Sequence, residues 1–321
     1  MRTLSLAIAA AACLSAQQPP VENAKLETRT FSGSIASGLA QLGAGPFWAA
    51  WSEPIVPARR GDMCDGRTSD APIRLEGPTA LVVLVRVENS QVDQLRVASP
   101  DCRVDAGGLP FYWLTAVPVA ESVAWLKTQA GARSSDTPIL AIALHAGPAA
   151  EGALDDLVAA GQPDRVREKT AFWLGSTRGA HGVDLLKRML ATDASEKVRE
   201  QVIFALTQSK EADAMAVVLD AAKNDKDPRI RSRALFRVAQ KAADKQARDA
   251  IGNAIQNDPE RAVKEQAVFA LTQLPEGRGV PMLIDLARNN ADAAVRKKAM
   301  FWLGQSKDPQ ALAYLEKLVT Q

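Results

Sequence analysis

Apolar positions recur along residues 166–303 with a long period. The phrase Val166-Arg-Glu-Lys-Thr-Ala-Phe-Trp-Leu174 returns from Val198, Ile230, Val263 and Val295, so its starts lie 32 or 33 residues apart. Such a period marks a solenoid of stacked supersecondary units. With the first Val or Ile as position 0, positions 0, 4 and 8 are apolar except at Thr170. At about 100° per residue they form one helical stripe. Position 6 is Phe in every copy: Phe172, Phe204, Phe236, Phe269 and Phe301. Phe sits well round the helix from the stripe, so more than one neighbour is expected to cover each of these helices.

Helix-start chemistry opens the phrases, clearly at Asp227-Pro228 and Asp258-Pro259 and more weakly at Gln162-Pro163-Asp164 and Ser195. Polar breaks follow, then a second apolar-periodic segment: Val183–Leu190, Ala214–Ala222, Ala247–Ile255, Val280–Ala287 and Ala311–Val319. The unit is a helix–turn–helix. One period upstream, Thr137–Leu144 and Ala153–Ala160 form a degenerate sixth unit without the charged pair or the Phe, as a terminal repeat would.

The remainder follows another pattern. Met1-Arg2, the apolar run Leu4–Ala12 and Ala16 predict a secretory leader over residues 1–16, with a linker over 17–24. Cys13 admits a lipid-anchored alternative, the only membrane contact expected. From 25 to 131 the period is absent. Thr79–Val87 and Val92–Ala98 predict a β-hairpin turning at Asn89-Ser90, and Leu109–Val117 a further strand. Lys25–Phe31 and Phe47–Ile55 are further strand candidates, Ser34–Leu42 a short helix, and Glu121–Lys127 a helix leading into the repeats. The expected fold is a small α+β domain (25–131) followed by an α-solenoid of about six hairpins (132–321).

The phrase Val-Arg-x-x-Ala-x-Phe-x-Leu, with Asp-Pro in the preceding turn, resembles the bacterial HEAT-like repeats related to those of phycobilisome lyases, over about residues 134–321. The resemblance implies a binding scaffold more than a chemistry. Deoxyhypusine hydroxylases, which share the fold, hold two irons with His-Glu pairs; this chain has no such pair and two histidines only, His145 and His181. The stretches Trp48–Pro57, Met63-Cys64 and Asp101–Leu109 resemble, more faintly, regions that precede such repeats in secreted bacterial proteins.

Charge divides the chain. Residues 1–163 hold 12 Lys/Arg and 16 Asp/Glu; residues 164–321 hold 27 and 21. Basic side chains fill position 1 of each phrase: Arg167, Arg199, Arg231, Lys264 and Arg296. Pairing with Asp193, Asp227, Asp258 and Asp292 in neighbouring turns would set the repeat register. The alternative is a basic track for an anionic polymer, against which the leader and the modest charge excess weigh, so nucleic acid is not an expected partner. Cys64 and Cys102 are expected to form a disulfide, as paired cysteines of a secreted domain do.

No phosphate loop or nucleophile elbow is present, Gly107-Gly108 reads as a turn, and neither a cofactor nor a metal is expected. The leading expectation is a secreted or periplasmic, non-enzymatic scaffold that presents a concave surface, lined by the second helix of each unit, to a protein partner. Lys187, Arg188, Lys223, Arg248, Arg288 and Asn289 are its candidate contacts. The competing reading places a small-molecule or glycan site in the N-terminal domain at Trp48, Trp51, Tyr112 and Trp113, and requires those rings to be exposed.

Overall fold

The computed structural model describes residues 18–56, 64, 79–131 and 135–320. The expected leader, with Cys13, lies outside them. The chain forms two compact units, residues 1–154 and 155–321.

The first unit runs β1 (Val21–Glu22), β2 (Lys25–Thr30), α1 (Ile35–Gln41), β3 (Phe47–Pro54), β4 (Ala80–Glu88), β5 (Gln91–Ala98), β6 (Val104–Asp105), β7 (Pro110–Thr115), α2 (Val119–Ala130), α3 (Thr137–Leu144) and the start of α4 (Pro148–Leu157). Its sheet has the order β2-β7-β3-β4-β5. β7 lies parallel to both β2 and β3, while β3, β4 and β5 pair antiparallel. The β4–β5 hairpin turns at Asn89 and Ser90, whose φ values of 53° and 59° suit the tight turn that matches strand twist.

The central strands are buried on both faces, which is why Phe47–Trp51 and Leu81–Val85 read as nearly continuous apolar runs. Trp48, Val82, Leu84, Phe111 and Trp113 pack on one face with Cys102, which forms the expected disulfide with Cys64. On the other face the Trp51 ring meets Trp125 of α2 edge-on, with centroids 5.6 Å apart.

The α3–α4 hairpin, expected to open the solenoid, is stitched to this sheet instead. Ile55 bridges His145, the Val56 amide donates to Leu144 O at 3.0 Å, and the Ala146 amide donates to Pro54 O at 2.9 Å. Its second helix occupies Pro148–Leu157 rather than Ala153–Ala160, because Pro148 is suited to the first turn and starts the helix early.

The second unit contains five hairpins: α5 (Asp164–Thr177) with α6 (Gly179–Thr192), α7 (Glu196–Leu206) with α8 (Ala214–Asn224), α9 (Pro228–Lys241) with α10 (Asp244–Asn257), α11 (Arg261–Leu271) with α12 (Val280–Asn289), and α13 (Ala293–Gln305) with α14 (Pro309–Val319). Each phrase lies on a first helix, and each first helix packs on the next. The residues at positions 0 and 8 are at most 2% exposed. Gly175 permits the close approach of α5 to α7: a Cβ there would lie 2.2 Å from Ala205 O.

Position 1 supplies the rungs that fix this stack. Arg167 holds Asp193 with two bonds of 2.8 and 3.0 Å, Arg199 reaches both oxygens of Asp225, and Arg231 holds Asp258 at 2.7 and 2.8 Å. The partners lie 26, 26 and 27 residues apart. Each guanidinium also donates to a main-chain carbonyl, of Gln162, Leu190 and Asp225 in turn. Each aspartate accepts the amide two residues on, at 2.9 Å. The rung therefore joins one first helix to the turn that starts the next.

Four details differ from the sequence-based pairing. Arg199 hydrogen-bonds Asp225, while the expected partner Asp227 lies 3.7 Å from it as a longer ion pair and caps α9 by accepting the Arg229 amide. Asp258 serves the rung, while Glu260 is the residue at the α11 N-terminus. Ser195 is the N-cap residue of α7, but its hydroxyl donates to Asp164 and makes no bond to the helix amides. Arg296 bonds the carbonyls of Asn290 and Ala291, and Asp292 caps α13. At the fourth rung Lys264 and Asn290 replace Arg and Asp; Lys264 reaches Gln256 O at 3.2 Å and Asn290 keeps the Asx turn.

Burial works against the charge of Asp258. Hydrogen bonds from Arg231 and the Glu260 amide, with the charges of Arg231 and Lys264, outweigh it and hold the pKa below the usual carboxylate range. Stability from this rung is thus present above the ordinary carboxylate pKa and fades as pH falls through the lowered one. Arg231→Ala leaves a buried carboxylate unpaired and is expected to cost about 3–5 kcal/mol at neutral pH. Adding Asp258→Asn should recover part of that loss. Denaturant melts of both variants measure it; a loss below about 1 kcal/mol, the level of an exposed ion pair, would show that the rung does not set the register.

Candidate functional site

The rungs hold successive first helices in one register, so position 6 repeats on one side of the stack. Phe172 and Phe204 stack at 6.1 Å with their planes 13° apart, and Phe236 and Phe269 at 6.0 Å and 12°. Phe269 continues onto Trp302 at 4.8 Å, and Trp302 meets Phe301 edge-on. Phe172, Phe204, Phe236 and Phe269 are half-buried, and Phe301 is 53% exposed. The neighbours that cover these helices are on the stripe side. On the Phe side the rings meet in pairs, Phe172 with Phe204 and Phe236 with Phe269, leaving a part-exposed aromatic ridge.

The ridge has one interruption, at its centre. Between Phe204 and Phe236 lies the Arg237 guanidinium, 4.7 Å from one ring centroid and 5.6 Å from the other. Position 7 is Trp173, Ala205, Ala270 and Trp302 in the other copies, so only the third repeat inserts a cation here. Beside it is a cavity of about 460 Å³ lined by Glu168, Lys197, Glu200, Gln201, Ile203, Phe204, Arg233 and Arg237. Arg233 pairs with Glu200 across repeats at 3.1 Å, and Lys298 with Glu265 at 3.7 Å. Aromatic rings flanked by charged pairs form the polar-rimmed, part-apolar surface typical of an interaction patch. The invariant Phe was visible in the sequence; Arg237 was legible only as a charge at a position otherwise Trp or Ala.

The six contacts expected on second helices do lie there. Lys187 bonds Asp213 at 2.8 Å, Arg188 bonds Asp155 at 2.8 Å, Arg288 sits 4.7 Å over the Tyr314 ring, and Asn289 donates to Asp285 within its own helix. Lys223 is exposed and Arg248 half-buried. Lys187 also edges a groove of about 600 Å³ whose charges, Asp213, Asp220 and Asp225 against Lys187, Arg199 and Lys226, balance. Of the six, Lys187 alone lines that groove.

Two alternatives lose their geometry. Trp48, Trp51 and Trp113 are 6%, 0% and 2% exposed and Tyr112 is half-buried, so the four rings do not form the open aromatic site that the small-molecule reading requires, although Trp48, with Arg96 over its ring, lines a cavity of about 460 Å³. Arg167, Arg199 and Arg231 are buried in their rungs, so position 1 is not a solvent-facing basic track. Among the described residues no group of three or more His, Cys, Asp or Glu is arranged to hold a metal.

His145 belongs to a buried polar cluster of the first unit. Its Nδ1 donates to Ala141 O at 2.6 Å, so in the neutral ring Nε2 accepts from Ser122 Oγ at 2.9 Å. Ser122 Oγ accepts the Trp51 indole N–H at 2.8 Å and also bonds Glu53. Glu53 completes the cluster through its bond with Ser122, while its Oε1 has no hydrogen-bond partner among the described residues. Burial raises the Glu53 pKa to about 8, against the lowering effect of Ser122. His181, on α6, is half-buried and stands apart from any such cluster.

Because the folded pKa of Glu53 exceeds the unfolded one, the native state holds an extra proton between them, and stability falls as pH rises through that window. The loss should reach a few kcal/mol by about pH 9. Glu53→Gln, which keeps the shape of the side chain and removes its titration, is expected to flatten the fall of melting temperature between pH 5 and 9. Superimposable profiles for the two proteins would rule out a buried neutral carboxyl.

No curated protein matches this chain in sequence. Among solved structures, human deoxyhypusine hydroxylase in complex with glycerol is similar at 14% identity over 62% of this chain and 90% of its own, with a TM-score of 0.29, a likeness too distant to argue from. The family description that matches is HEAT repeats, over residues 152–239 and 248–321. Those spans cover the hairpins whose period, buried stripe and Arg–Asp rungs are described above, and the chain belongs to the HEAT-repeat family.

Proposed function

We propose that the protein is a protein-interaction scaffold whose partner docks on the first-helix face of the repeats. The observation that carries this reading is the aromatic ridge. Large rings are left half-exposed on a frame held by buried ion pairs, which lowers the ordering cost of binding. Aromatic and arginine side chains supply most hot spots in protein interfaces, and the ridge contains both. The second-helix face, where the six polar contacts were expected, offers a charge-balanced groove and locally paired side chains, and so ranks second. The leader-like residues 1–16 and the Cys64–Cys102 disulfide support a secreted, oxidising location.

A photo-crosslinking residue placed at Gln201, beside the ridge, tests the face directly against one placed at Lys223 on α8. The expected result is a discrete crosslinked protein from position 201 that is absent from 223 and lost in Phe204→Ala/Phe236→Ala. Hot-spot rings are worth on the order of 2 kcal/mol each, so the double variant should lose most of the product. Product from 223 alone would move the interface to the second helices.

A further inference from the structure

We infer that the Arg237 notch in the ridge receives the carboxylate of an aspartate or glutamate from a partner polypeptide, with a neighbouring apolar side chain lying on Phe204 or Phe236. This deepens the scaffold reading and rests on it.

Of the cations that line the notch, Arg233 is paired within the protein and Lys197 is exposed to solvent; Arg237 is the one that is half-buried without a carboxylate partner among the described residues. Arg233 has Glu200, and Arg229 has Glu196. Arg237 donates only to the Gln240 side chain at 3.2 Å and otherwise faces two rings; among the described residues no carboxylate pairs with it. Burial, and then the like charge of Arg233, push its pKa down. A guanidinium remains charged in any protein, so this one is partly desolvated without a counter-charge. The ring faces offset part of that cost; an incoming carboxylate would offset more, through paired N–H donors at fixed geometry.

The charge of the cavity selects the ligand class. Glu168 and Glu200 stand against Lys197, Arg233 and Arg237, an excess of one positive charge. That complements a single carboxylate. A polyphosphate or sulfated polymer would meet two fixed carboxylates at the same place. The rings on either side supply an apolar seat that only a polypeptide carrying both kinds of side chain would use fully.

The probes are three fluorescein-labelled peptides of equal length, alternating Glu-Phe, Gln-Phe or Glu-Ala, read by fluorescence anisotropy against the full chain. Glu-Phe should bind more tightly than either relative. Arg237→Gln should weaken it by about tenfold or more, the size of a charge-assisted hydrogen bond. Arg237→Lys, which keeps the charge but not the planar fork, should fall between. Circular dichroism melts confirm that both variants fold.

Glu-Phe and Gln-Phe binding equally, both sensitive to Phe204→Ala and neither to Arg237→Gln, would overturn the acidic preference and leave the ridge as a docking face. Absence of binding by any peptide overturns the inference, and with no crosslink from position 201 the docking face falls too. Displacement of Glu-Phe by heparin at equal charge, with steep salt dependence, would assign the notch to anionic polymers instead.

Discussion

The buried Arg–Asp rung is the constraint on which the rest of the repeat unit depends. An arginine at 6–7% exposure is tolerated only if its donors are answered, and in each of three rungs they are answered by the rung aspartate and a main-chain carbonyl, with Asp164 as a second carboxylate at Arg167 and Asp227 near Arg199. That geometry admits little play. The carboxylate is itself fixed by the amide two residues on, so the turn between hairpins has one conformation. A rung of this kind adds specificity of register more than net stability, since burying both charges costs much of what their attraction returns. The apolar stripe supplies the driving force; the rung decides where along the helix it is spent.

Register then propagates to the surface. Successive Phe rings stack near 6 Å with almost parallel planes because the helices that bear them are spaced and rotated alike. Small residues at position 7, Ala205 and Ala270, leave room for the rings to meet. The end repeats carry Trp there, and the central one carries Arg237. Regularity in the core thus produces a regular ridge outside, and a single departure from it stands out as a site. In a solenoid, where each unit contacts mainly its neighbours, such a departure costs the stack little and so is free to serve recognition.

Much of this was legible in the residues, for identifiable reasons. The 32-residue period, the helix pairs and the strand runs Ala80–Glu88 and Pro110–Thr115 followed from patterning that burial enforces. The Cys64–Cys102 pairing followed from cysteine arithmetic. The placement of Phe did not, because a helical wheel shows that position 6 is off the stripe but not whether a neighbour covers it. Asp225 and Asp227 are both plausible partners for Arg199 in sequence, and both lie near it; only the three-dimensional turn shows that Asp225 takes the hydrogen bonds while Asp227, 3.7 Å away, also caps the helix. The α3–α4 hairpin joined the sheet through main-chain bonds at Pro54, Val56, Leu144 and Ala146, which leave no side-chain signal. The Trp51–Ser122–His145–Glu53 cluster was equally silent, since it joins residues from β3, α2 and the end of α3.

Two incompletely compensated ionisable groups among the described residues, Glu53 and Arg237, resolve their position differently, and the difference bears on what each can mean. A buried carboxyl escapes the cost of its charge by keeping a proton, and Glu53 does so at the expense of stability at alkaline pH. Its neighbours are Ser122, His145 and a tryptophan, all enclosed, so the neutral group is fully accounted for as structure. A guanidinium has no such exit. Arg237 can lower its cost only by finding electron density, and the rings of Phe204 and Phe236 supply it incompletely at a half-exposed site. An unmet cation that cannot be discharged, held open to solvent on a rigid frame, is therefore the stronger indication of a missing ligand than any buried acid in this molecule.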